Sequence, residues 1–386
     1  MKMNIPFVDL KAQYLSIQKE IDSAMKNVID QTAFIGGATV KKFEKNFSEL
    51  YGVKHVISCA NGTDSLYIIM KMLGIGQGDE VITVANSWIS SSETVGQTGA
   101  RPVFIDIDER YMSIDDNQIE KAITANTKAI ILVHLQGQAC DLDKIEAICK
   151  QRNIRLIEDC AQSHFSEFNG RRCGTVGIAS SFSFYPGKNL GAYGDAGCIA
   201  TNDDELATRF RMYANHGALV KHEHQIEGIN SRMDGLQAAI LNAKLPYILK
   251  WTEQRIEKAR LYDQYLSGIN EIQLPKVRSN SKHTFHLYVI RAENRNELME
   301  YLKKNGIETA VHYPTPLPFL KAYEYQGAKP ADFPVAVAAQ TQILSLPIYP
   351  ELEEKQISYI ADNIKSFYNS KRSTSHKAAE EALSNV

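Results

Sequence analysis

The sequence predicts an α/β protein with a large, mostly parallel sheet domain and a smaller C-terminal α/β domain. Short apolar runs rich in β-branched residues alternate with helix-like patterns over the first two-thirds of the chain, as in a parallel sheet covered by helices on both faces. After about Asp203 the pattern becomes mainly helical, and strand-like sequence returns only beyond Leu274. The chain has 386 residues and room for two domains, at roughly 150 residues per domain.

The elements of the large domain follow one another in a regular order. Helical patterns at Asp64–Leu73, Asp115–Ile123 and Asp141–Arg152 lie between strand-like runs. Because ligands of such sheets bind at the carboxyl ends of the strands, we expect the functional residues there. The runs with the length and composition of strands are Val56–Cys59, Glu80–Val84, Pro102–Ile107, Ala129–Leu135, Ile154–Glu158, Ala179–Tyr185 and Gly197–Thr201.

The remaining elements predict the end of the large domain and the whole of the small one. Asp203–Asn215 is a predicted helix, and Met233–Arg260 is one long helix or two, with a break or kink at Pro246. We place the domain boundary near residue 250, which gives a large domain of residues 1–250, a small domain of residues 251–370 and a polar, mobile tail of residues 371–386. The small domain should contain a strand at Phe285–Arg291, a helix near Asn296–Asn305 and a last helix at about Lys355–Asn369.

Composition and charge argue against several classes of protein. Lys plus Arg total 43 and Asp plus Glu total 45, so no excess of positive charge exists to neutralise the phosphates of a nucleic acid. No stretch approaches the ~20 consecutive apolar residues of a membrane helix, and the first residues lack the apolar region of a secretory signal. The six cysteines are scattered without a CxxC pair, which is typical of reduced thiols. We therefore expect a cytoplasmic protein that binds neither nucleic acid nor a membrane.

A glycine turn after the first strand predicts a phosphate site. Gly62 and Thr63 open the helix that follows this strand. Glycine lets the backbone approach a ligand closely, the helix N-terminus offers free N–H groups, and the threonine adds a hydroxyl. The alternative is an ordinary turn in which Thr63 or Asp64 caps the helix.

Two further fragments place polar groups at strand ends. Asp159 and Gln162 follow the strand Ile154–Glu158, where a carboxylate can hold a cationic group or simply cap the next turn. Ser183 and Lys188 bracket the sequence SFYPGK. Aromatic neighbours there can desolvate the lysine and lower its pKa, so that the neutral amine can attack a carbonyl. The alternative is a surface lysine on a turn.

Together the three fragments predict a site for pyridoxal 5′-phosphate. This cofactor needs a lysine that bonds to it covalently, an aspartate that pairs with its pyridinium nitrogen, and hydroxyls with a helix N-terminus for its phosphate. Lys188, Asp159 and Ser183, together with the Gly62 turn, offer these groups in one chain.

Longer fragments extend this pattern along the chain: FIGGATVKKFE, CANGTDSLYI, GDEVITVANSW, ARPVFIDID, EDCAQS, SFSFYPGKNLGAYGDAG, INSRMDGLQAA and VHYPTPLP. They resemble the DegT/DnrJ/EryC1/StrS family of nucleotide-sugar aminotransferases, from about Ile5 to Phe367. The resemblance implies fold type I, the aspartate-aminotransferase-like fold, and a homodimer with shared active sites. It also implies that the cofactor passes through its pyridoxamine phosphate form in each cycle.

The resemblance assigns roles to the residues of the cofactor site. Lys188 matches the catalytic lysine, which bonds to the cofactor and later carries a proton between substrate and cofactor. Asp159 matches the carboxylate at the pyridine nitrogen, and Gln162 matches the side chain near the phenolic oxygen. The cofactor-binding residues that the resemblance implies are Gly62, Thr63 and Ser183 at the phosphate, Trp88 over the ring, Asp159, Gln162, Lys188, and Asn230, which reaches the phosphate from the neighbouring subunit.

The resemblance also implies a substrate. Arg232, His312 and Tyr313 match positions that contact the nucleotide-sugar or its diphosphate across the dimer interface, and an arginine suits a diphosphate. The fragments IPFVDLKAQY, NSWISSSET and HYPTPLPFLKAYEYQG resemble the branch that acts at C3 of dTDP-3-keto-6-deoxyhexoses. The expected reaction moves an amino group from L-glutamate to that carbon and gives dTDP-3-amino-3,6-dideoxy-galactose for surface polysaccharides. The gluco epimer and a C4 aminotransferase stay open.

Two other classes of function stay open, and no metal site is expected. Relatives that dehydrate sugars at C3 carry histidine in the position of Lys188, so the lysine argues against that reaction. A non-catalytic, cofactor-binding regulatory protein is compatible with the fold, although the complete set of cofactor residues argues against it. The carboxylate and histidine pairs that lack a telling spacing or a third metal ligand are Asp106 with Asp108, His222 with His224, and His283 with His286.

Overall fold

The structure, a computed structural model, describes residues 2–384, with side chains up to residue 373. Its strands are β1 (His55–Cys59), β2 (Glu80–Val84), β3 (Arg101–Ile105), β4 (Thr127–Val133), β5 (Arg155–Asp159), β6 (Glu167–Phe168), β7 (Arg171–Arg172), β8 (Ala179–Ser183), β9 (Gly197–Thr201), β10 (Ile272–Gln273), β11 (Ser281–Lys282), β12 (Tyr288–Ala292) and β13 (Ile343–Leu346). Its helices are α1 (Leu10–Ser16), α2 (Gln18–Asp30), α3 (Gly37–Tyr51), α4 (Gly62–Met72), α5 (Ser90–Thr98), α6 (Ile119–Ala122), α7 (Leu142–Arg152), α8 (Asp204–Ala214), α9 (Gly235–Lys244), α10 (Ile248–Leu266), α11 (Arg295–Lys304), α12 (Pro334–Gln340) and α13 (Glu354–Ser384).

The large sheet has seven strands in the order β1-β9-β8-β5-β4-β2-β3. Pairing is parallel from β3 through β2, β4 and β5 to β8, whereas β9 runs antiparallel to both of its neighbours. Successive residues of β4 from Ala129 to Val133 are all buried, which shows that both faces of the sheet are covered. The predicted fold class is confirmed, and every predicted strand of the large domain overlaps an observed one.

A second, smaller sheet lies in the C-terminal part of the chain. Strands β10, β12 and β13 pair antiparallel, and a separate hydrophobic cluster surrounds them with residues of α10, α11 and α13. Ile5 also belongs to this cluster. Its N–H donates to Gly306 O at 2.8 Å, so the start of the chain is attached to the C-terminal part. Helix α10 joins the two clusters, with Trp251 in the first and Ala259 in the second. The division near residue 250 stays a prediction.

Two of the predicted helices differ from what the structure shows. Where Asp115–Ile123 was predicted, only the single turn α6 forms, because the Asp115 carboxylate accepts from the backbone N–H of Asn117 and from the side chain of Gln118. Such local side-chain bonds compete with helix formation. The predicted break at Pro246 is confirmed: a 3₁₀ turn at Leu245–Tyr247 separates α9 from α10.

The C-terminal helix is longer than the sequence pattern indicated. The prediction that it ends near Asn369 is wrong, because α13 continues to Ser384. The mobility expected of residues 371–386 stays a prediction. The stretch after Asn369 contains no glycine or proline and carries the good helix formers KAAEEAL, which explains the extension. Residues 385 and 386 lie outside the described part of the chain. Within residues 2–384, no helix combines the length and the apolar character that crossing a membrane requires.

Candidate active site

The turn between β1 and α4 forms a cradle with the end of β8. The Asn61 side chain caps α4 by accepting from Asp64 N–H at 2.8 Å, so the helix cap is neither Thr63 nor Asp64. A Cβ at Gly62 would lie 2.8 Å from Ser183 Cβ, so only glycine allows the two segments to approach this closely. Thr63 Oγ1 lies 2.6 Å from Ser90 Oγ. The first-turn N–H groups and these hydroxyls can hold a phosphate.

Asp159 ends β5 and is buried. Its Oδ1 accepts from the Ala161 N–H at 3.1 Å. Burial raises the pKa of the Asp159 carboxyl, while the Ala161 N–H and the charge of Lys188 oppose the rise. A buried carboxylate that retains acceptor capacity can pair with a cationic ligand group.

Lys188 lies in a tight loop after β8. The loop is held by its own backbone, since Lys188 N–H donates to Tyr185 O and Ala192 N–H donates to Phe184 O, both at 2.8 Å. Burial lowers the pKa of the Lys188 amine to about 8, and the charge of Asp159 opposes this shift. A sizeable fraction of the amine is therefore neutral near neutral pH and can act as a nucleophile. The surface-lysine alternative does not fit this environment.

Gln162, which follows β5, makes hydrogen bonds to the segment after β4 and to the Pro-rich loop that contains Tyr313. Its Oε1 accepts from Gln136 N–H at 2.7 Å, and its Nε2 donates to the Tyr313 hydroxyl at 2.9 Å. The Trp88 ring lies 5.8 Å from the Tyr313 ring and is 59% exposed, so one face of the indole is open to a ligand. Trp88, Gln162 and Tyr313 thus line the same side of the site within one chain.

His312 precedes Tyr313 in the chain, and its side chain is uncharged. Its Nδ1 lies 2.9 Å from Ser345 Oγ. Burial and the charge of Lys188 lower the pKa of the His312 imidazole to about 4, so it is neutral near pH 7. His312 and Tyr313, which were expected at the nucleotide-sugar across a dimer interface, therefore lie beside Lys188 and Gln162 of their own chain.

Asn230 and Arg232 lie at the edge of the cradle with exposed side chains. Ser231 between them is buried: its hydroxyl donates to Asp64 Oδ2 at 2.7 Å and accepts from Ala60 N–H at 3.1 Å. Within the described residues, the side chains of Asn230 and Arg232 make no hydrogen bond or ion pair. The structure therefore brings their backbone close to Gly62 and leaves both side chains free to reach a further group.

Several polar residues of the site were not predicted. The buried side chains of Asn86, Gln138, Ser163 and His164 carry polar atoms that have no partner within the described chain. All four follow the carboxyl ends of β2, β4 or β5, so the same positional rule that selected Asp159 could have found them. Burial, with a smaller contribution from Lys188, lowers the pKa of His164 to about 3. Unpartnered buried polar atoms at this edge are suited to a polar ligand.

Asp106 and His283, two of the residues set aside as metal ligands, have other partners. The Asp106 carboxylate accepts from the backbone N–H groups of Val335 and Ala336, each at 2.9 Å, and so caps α12. His283 Nδ1 accepts from Phe285 N–H at 2.9 Å. His134, Glu158 and Cys160 lie close together, but Glu158 accepts from His134 and from three backbone N–H groups of residues 174–177, which occupy its oxygens.

The residues present fit pyridoxal 5′-phosphate on structural grounds. The Gly62 cradle matches a phosphate, and the buried carboxylate of Asp159 matches a protonated ring nitrogen. The Lys188 amine, with its lowered pKa, matches a carbonyl carbon. Together with an α/β fold whose functional groups gather at strand ends, these features define the class of enzymes that depend on pyridoxal 5′-phosphate.

Comparison with known proteins identifies the family. The model of the DegT/DnrJ/EryC1/StrS aminotransferase family matches residues 15–365, and the chain belongs to this family. The solved structure of NtdA from Bacillus subtilis with bound pyridoxamine phosphate superposes with a TM-score of 0.86 at 31% identity, over 94% of this chain and 85% of that one. The chain is a sugar aminotransferase that depends on pyridoxal 5′-phosphate.

Three curated relatives cover nearly the whole chain. The pleiotropic regulatory protein of Geobacillus stearothermophilus is 43% identical, over 95% of this chain and 99% of that one. The UDP-2-acetamido-2-deoxy-3-oxo-D-glucuronate aminotransferase of Pseudomonas aeruginosa is 42% identical, over 92% and 98%. The dTDP-3-amino-3,6-dideoxy-α-D-galactopyranose transaminase of Aneurinibacillus thermoaerophilus is 41% identical, over 94% and 99%.

Proposed function

We propose that the chain transfers the amino group of L-glutamate to C3 of dTDP-3-keto-6-deoxygalactose. The product, dTDP-3-amino-3,6-dideoxy-galactose, would supply an amino sugar for surface polysaccharides. The observation that carries this acceptor is the 41% identity, along 94% of the chain, to a transaminase named for the same amino sugar. The relative from Pseudomonas aeruginosa is likewise named for a 3-oxo sugar, which favours transfer to C3 over transfer to C4.

The chemistry rests on the protonation states of Asp159 and Lys188 in the buried site. The bound cofactor supplies an electron sink and carries the amino group between the two half-reactions. Asp159 would face the ring nitrogen of the cofactor and favour its protonated form, because a buried carboxylate favours a neighbouring cation. Lys188 Nζ, whose pKa of about 8 leaves part of the amine neutral near neutral pH, would hold the cofactor through its carbonyl carbon, with release of water, and could accept the proton that the reacting carbon of the substrate loses.

The remaining residues bind and orient. Gly62, Thr63 and Ser183 would hold the cofactor phosphate at the N-terminus of α4, and the exposed face of Trp88 would be available to the cofactor ring. Gln162, fixed by Gln136 and Tyr313, would offer its amide to the phenolic oxygen.

We propose further that the active form is a homodimer. Asn230 and Arg232 are exposed beside the cradle without partners in the described chain, as expected of side chains that meet the phosphate and the diphosphate in a second subunit. Exposed apolar side chains lie on the nearby segments, with Phe34 and Ile35 at 44% and 57% exposure and Val220 at 56%. Burial of these side chains between subunits would stabilise the dimer.

A visible spectrum followed through one cycle tests the reaction. L-Glutamate should bleach the band of the bound cofactor, and dTDP-3-keto-6-deoxygalactose, added after the glutamate is removed, should restore it. Restoration by the gluco epimer or by a 4-keto sugar alone would replace the proposed acceptor. A protein that shows no band after addition of the cofactor would contradict the assignment of Lys188.

A UDP-linked 3-keto sugar is the second candidate acceptor. The 42% identity to the UDP-sugar aminotransferase of Pseudomonas aeruginosa favours it. The same spectral cycle separates the two, because only the true acceptor restores the band at micromolar concentration. A regulatory role without turnover, which the name of the Geobacillus relative suggests, predicts a band that glutamate does not bleach.

A further inference from the structure

A second buried lysine touches the loop that carries Lys188. Lys244 lies in α9, and its side chain is fully buried. Its Nζ donates to Gly191 O at 2.7 Å and lies 4.4 Å from the centre of the Tyr193 ring. Gly191 and Tyr193 both belong to the segment that follows Lys188, between β8 and β9. Lys244 therefore attaches this segment to helix α9.

The loop leaves little room for Gly191 to move. A Cβ at Gly191 would lie 2.2 Å from Pro186 O, so the two ends of the loop are in close contact. Tyr193 N–H donates to Gln237 Oε1 at 2.9 Å, which anchors the end of the loop on α9 as well. Release of the Gly191 carbonyl would therefore loosen the segment that places Lys188.

A lysine is a costly choice for this position unless its charge has a role. Burying an ammonium group carries a large desolvation cost, whereas a methionine of similar length would pack without that cost. Burial lowers the pKa of Lys244 to about 8, and the nearby carboxylate of Glu351 opposes the shift. Glu351 follows β13, so the Lys244 charge also interacts with the C-terminal part of the chain.

We infer that Lys244 is a positioning residue: by holding the Gly191 carbonyl and packing on the Tyr193 ring, it keeps the Lys188 amine in its desolvated place near Asp159. The inference rests on the proposed role of Lys188 as the lysine that bonds to the cofactor. Asn189 provides a second attachment of the same loop, because its Nδ2 donates to Thr284 O at 3.3 Å.

The pH profile of Lys188 acylation in the cofactor-free protein tests this role. Acetic anhydride labels neutral amines, and mass spectrometry of the Lys188 peptide gives the midpoint, expected near pH 8 in the wild type. In Lys244→Met the midpoint should rise by about one unit, because water enters around Lys188. Amide hydrogen exchange in residues 185–193 should accelerate roughly tenfold.

Arg295→Met is the matched control. Arg295 is also a buried cation that donates to main-chain carbonyls, at Ile343 and Gln340, but it does not touch the loop. This variant should lose stability and keep the wild-type Lys188 midpoint. Lys244→Arg, which keeps a charged donor, should shift the midpoint less than Lys244→Met does. Should Lys244→Met not fold, Lys244→Gln provides the same comparison with a smaller expected shift.

Two results would overturn the inference. One is an unchanged midpoint in a folded Lys244 variant that lacks the charge, and the other is an equal shift in Arg295→Met, which would point to general loosening. Both are read without cofactor, so they are independent of turnover. Failure of the proposed function would appear instead as a cofactor band that survives the loss of Lys188.

Discussion

Two parts of the candidate site differ in how far one chain completes them. At the ends of β5 and β8, Asp159 is buried, both ends of the Gln162 amide have partners, and the loop around Lys188 is held by its own backbone. At the cradle's edge, Asn230 and Arg232 are exposed and have no side-chain partner among the described residues. We call the groups at the ends of β5 and β8 the closed part, and Asn230 with Arg232 the open part. The difference between them is what we expect if, as proposed, Asn230 and Arg232 reach the site of a second subunit.

Loss of the reactive amine should have the largest effect, because no other group of the closed part can replace it. We expect Lys188→Ala to lower kcat by at least about 1,000-fold and to abolish the visible band of the bound cofactor. Absorbance and single-turnover rates with L-glutamate measure both effects. Lys121→Ala, which removes an exposed lysine of α6, is the control and should behave like the wild type. Retention of turnover in Lys188→Ala would refute the chemistry assigned to the closed part.

Asp159→Asn tests the charge of the closed part while keeping its shape. The asparagine cannot keep a ring nitrogen protonated, and breaking a buried charge pair costs roughly 3 kcal/mol, so kcat/KM should fall about 100-fold. Steady-state kinetics and cofactor titration measure the change. Asp108→Asn, in the loop after β3, is the matched substitution: an asparagine oxygen can still accept from the Arg110 N–H, so neither quantity should change. A normal kcat/KM in Asp159→Asn would mean that the carboxylate does not face the ring nitrogen.

The open part is tested by mixing subunits. Asn230→Ala combined with Arg232→Ala removes about two hydrogen bonds to anionic groups, so kcat/KM should fall roughly 30-fold. This variant is then refolded together with Lys188→Ala. If Asn230 and Arg232 act across the interface, each mixed dimer has one site with an intact Lys188 from one chain and an intact Asn230 from the other. Random mixing should then restore about a quarter of the wild-type activity. Activity that stays at the level of the separate variants would show that Asn230 and Arg232 serve the site of their own chain.

The closed part was predictable because its residues obey a topological rule. Asp159 and Ser183 end neighbouring parallel strands, whose carboxyl ends meet at one edge of the sheet. The partners of those residues were not predictable, since long-range packing decides them. His164 packs against Phe182 and Phe184, and no local pattern distinguishes it from a hydrogen-bonded core histidine.

In the fold, too, the buried strands were predictable from the sequence, whereas the bounds of two helices were not. Alternation of apolar runs predicted every strand of the large sheet, because burial on both faces leaves a continuous apolar signature. The helix predicted from Asp115 is mostly absent, since the Asp115 carboxylate binds local donors instead. The end of α13 was placed too early, because a polar sequence of good helix formers resembles a tail when only apolar periodicity is considered.

Trp88 should give the smallest effect, because it contributes only a stacking face. Its ring is 59% exposed and tilted by 47° against Tyr313, so it is held on one side and open on the other. Trp88→Phe keeps an aromatic face and should change cofactor affinity by no more than about threefold, whereas Trp88→Ala should weaken it about tenfold. Tyr325→Phe, at a 70% exposed ring, should leave cofactor affinity unchanged and controls for surface aromatic substitutions. Fluorescence titration of the cofactor-free protein measures these affinities. An equal loss in Trp88→Phe and Trp88→Ala would mean that the indole N–H, and not the aromatic face, contacts the ligand, and would assign Trp88 to the substrate side of the site.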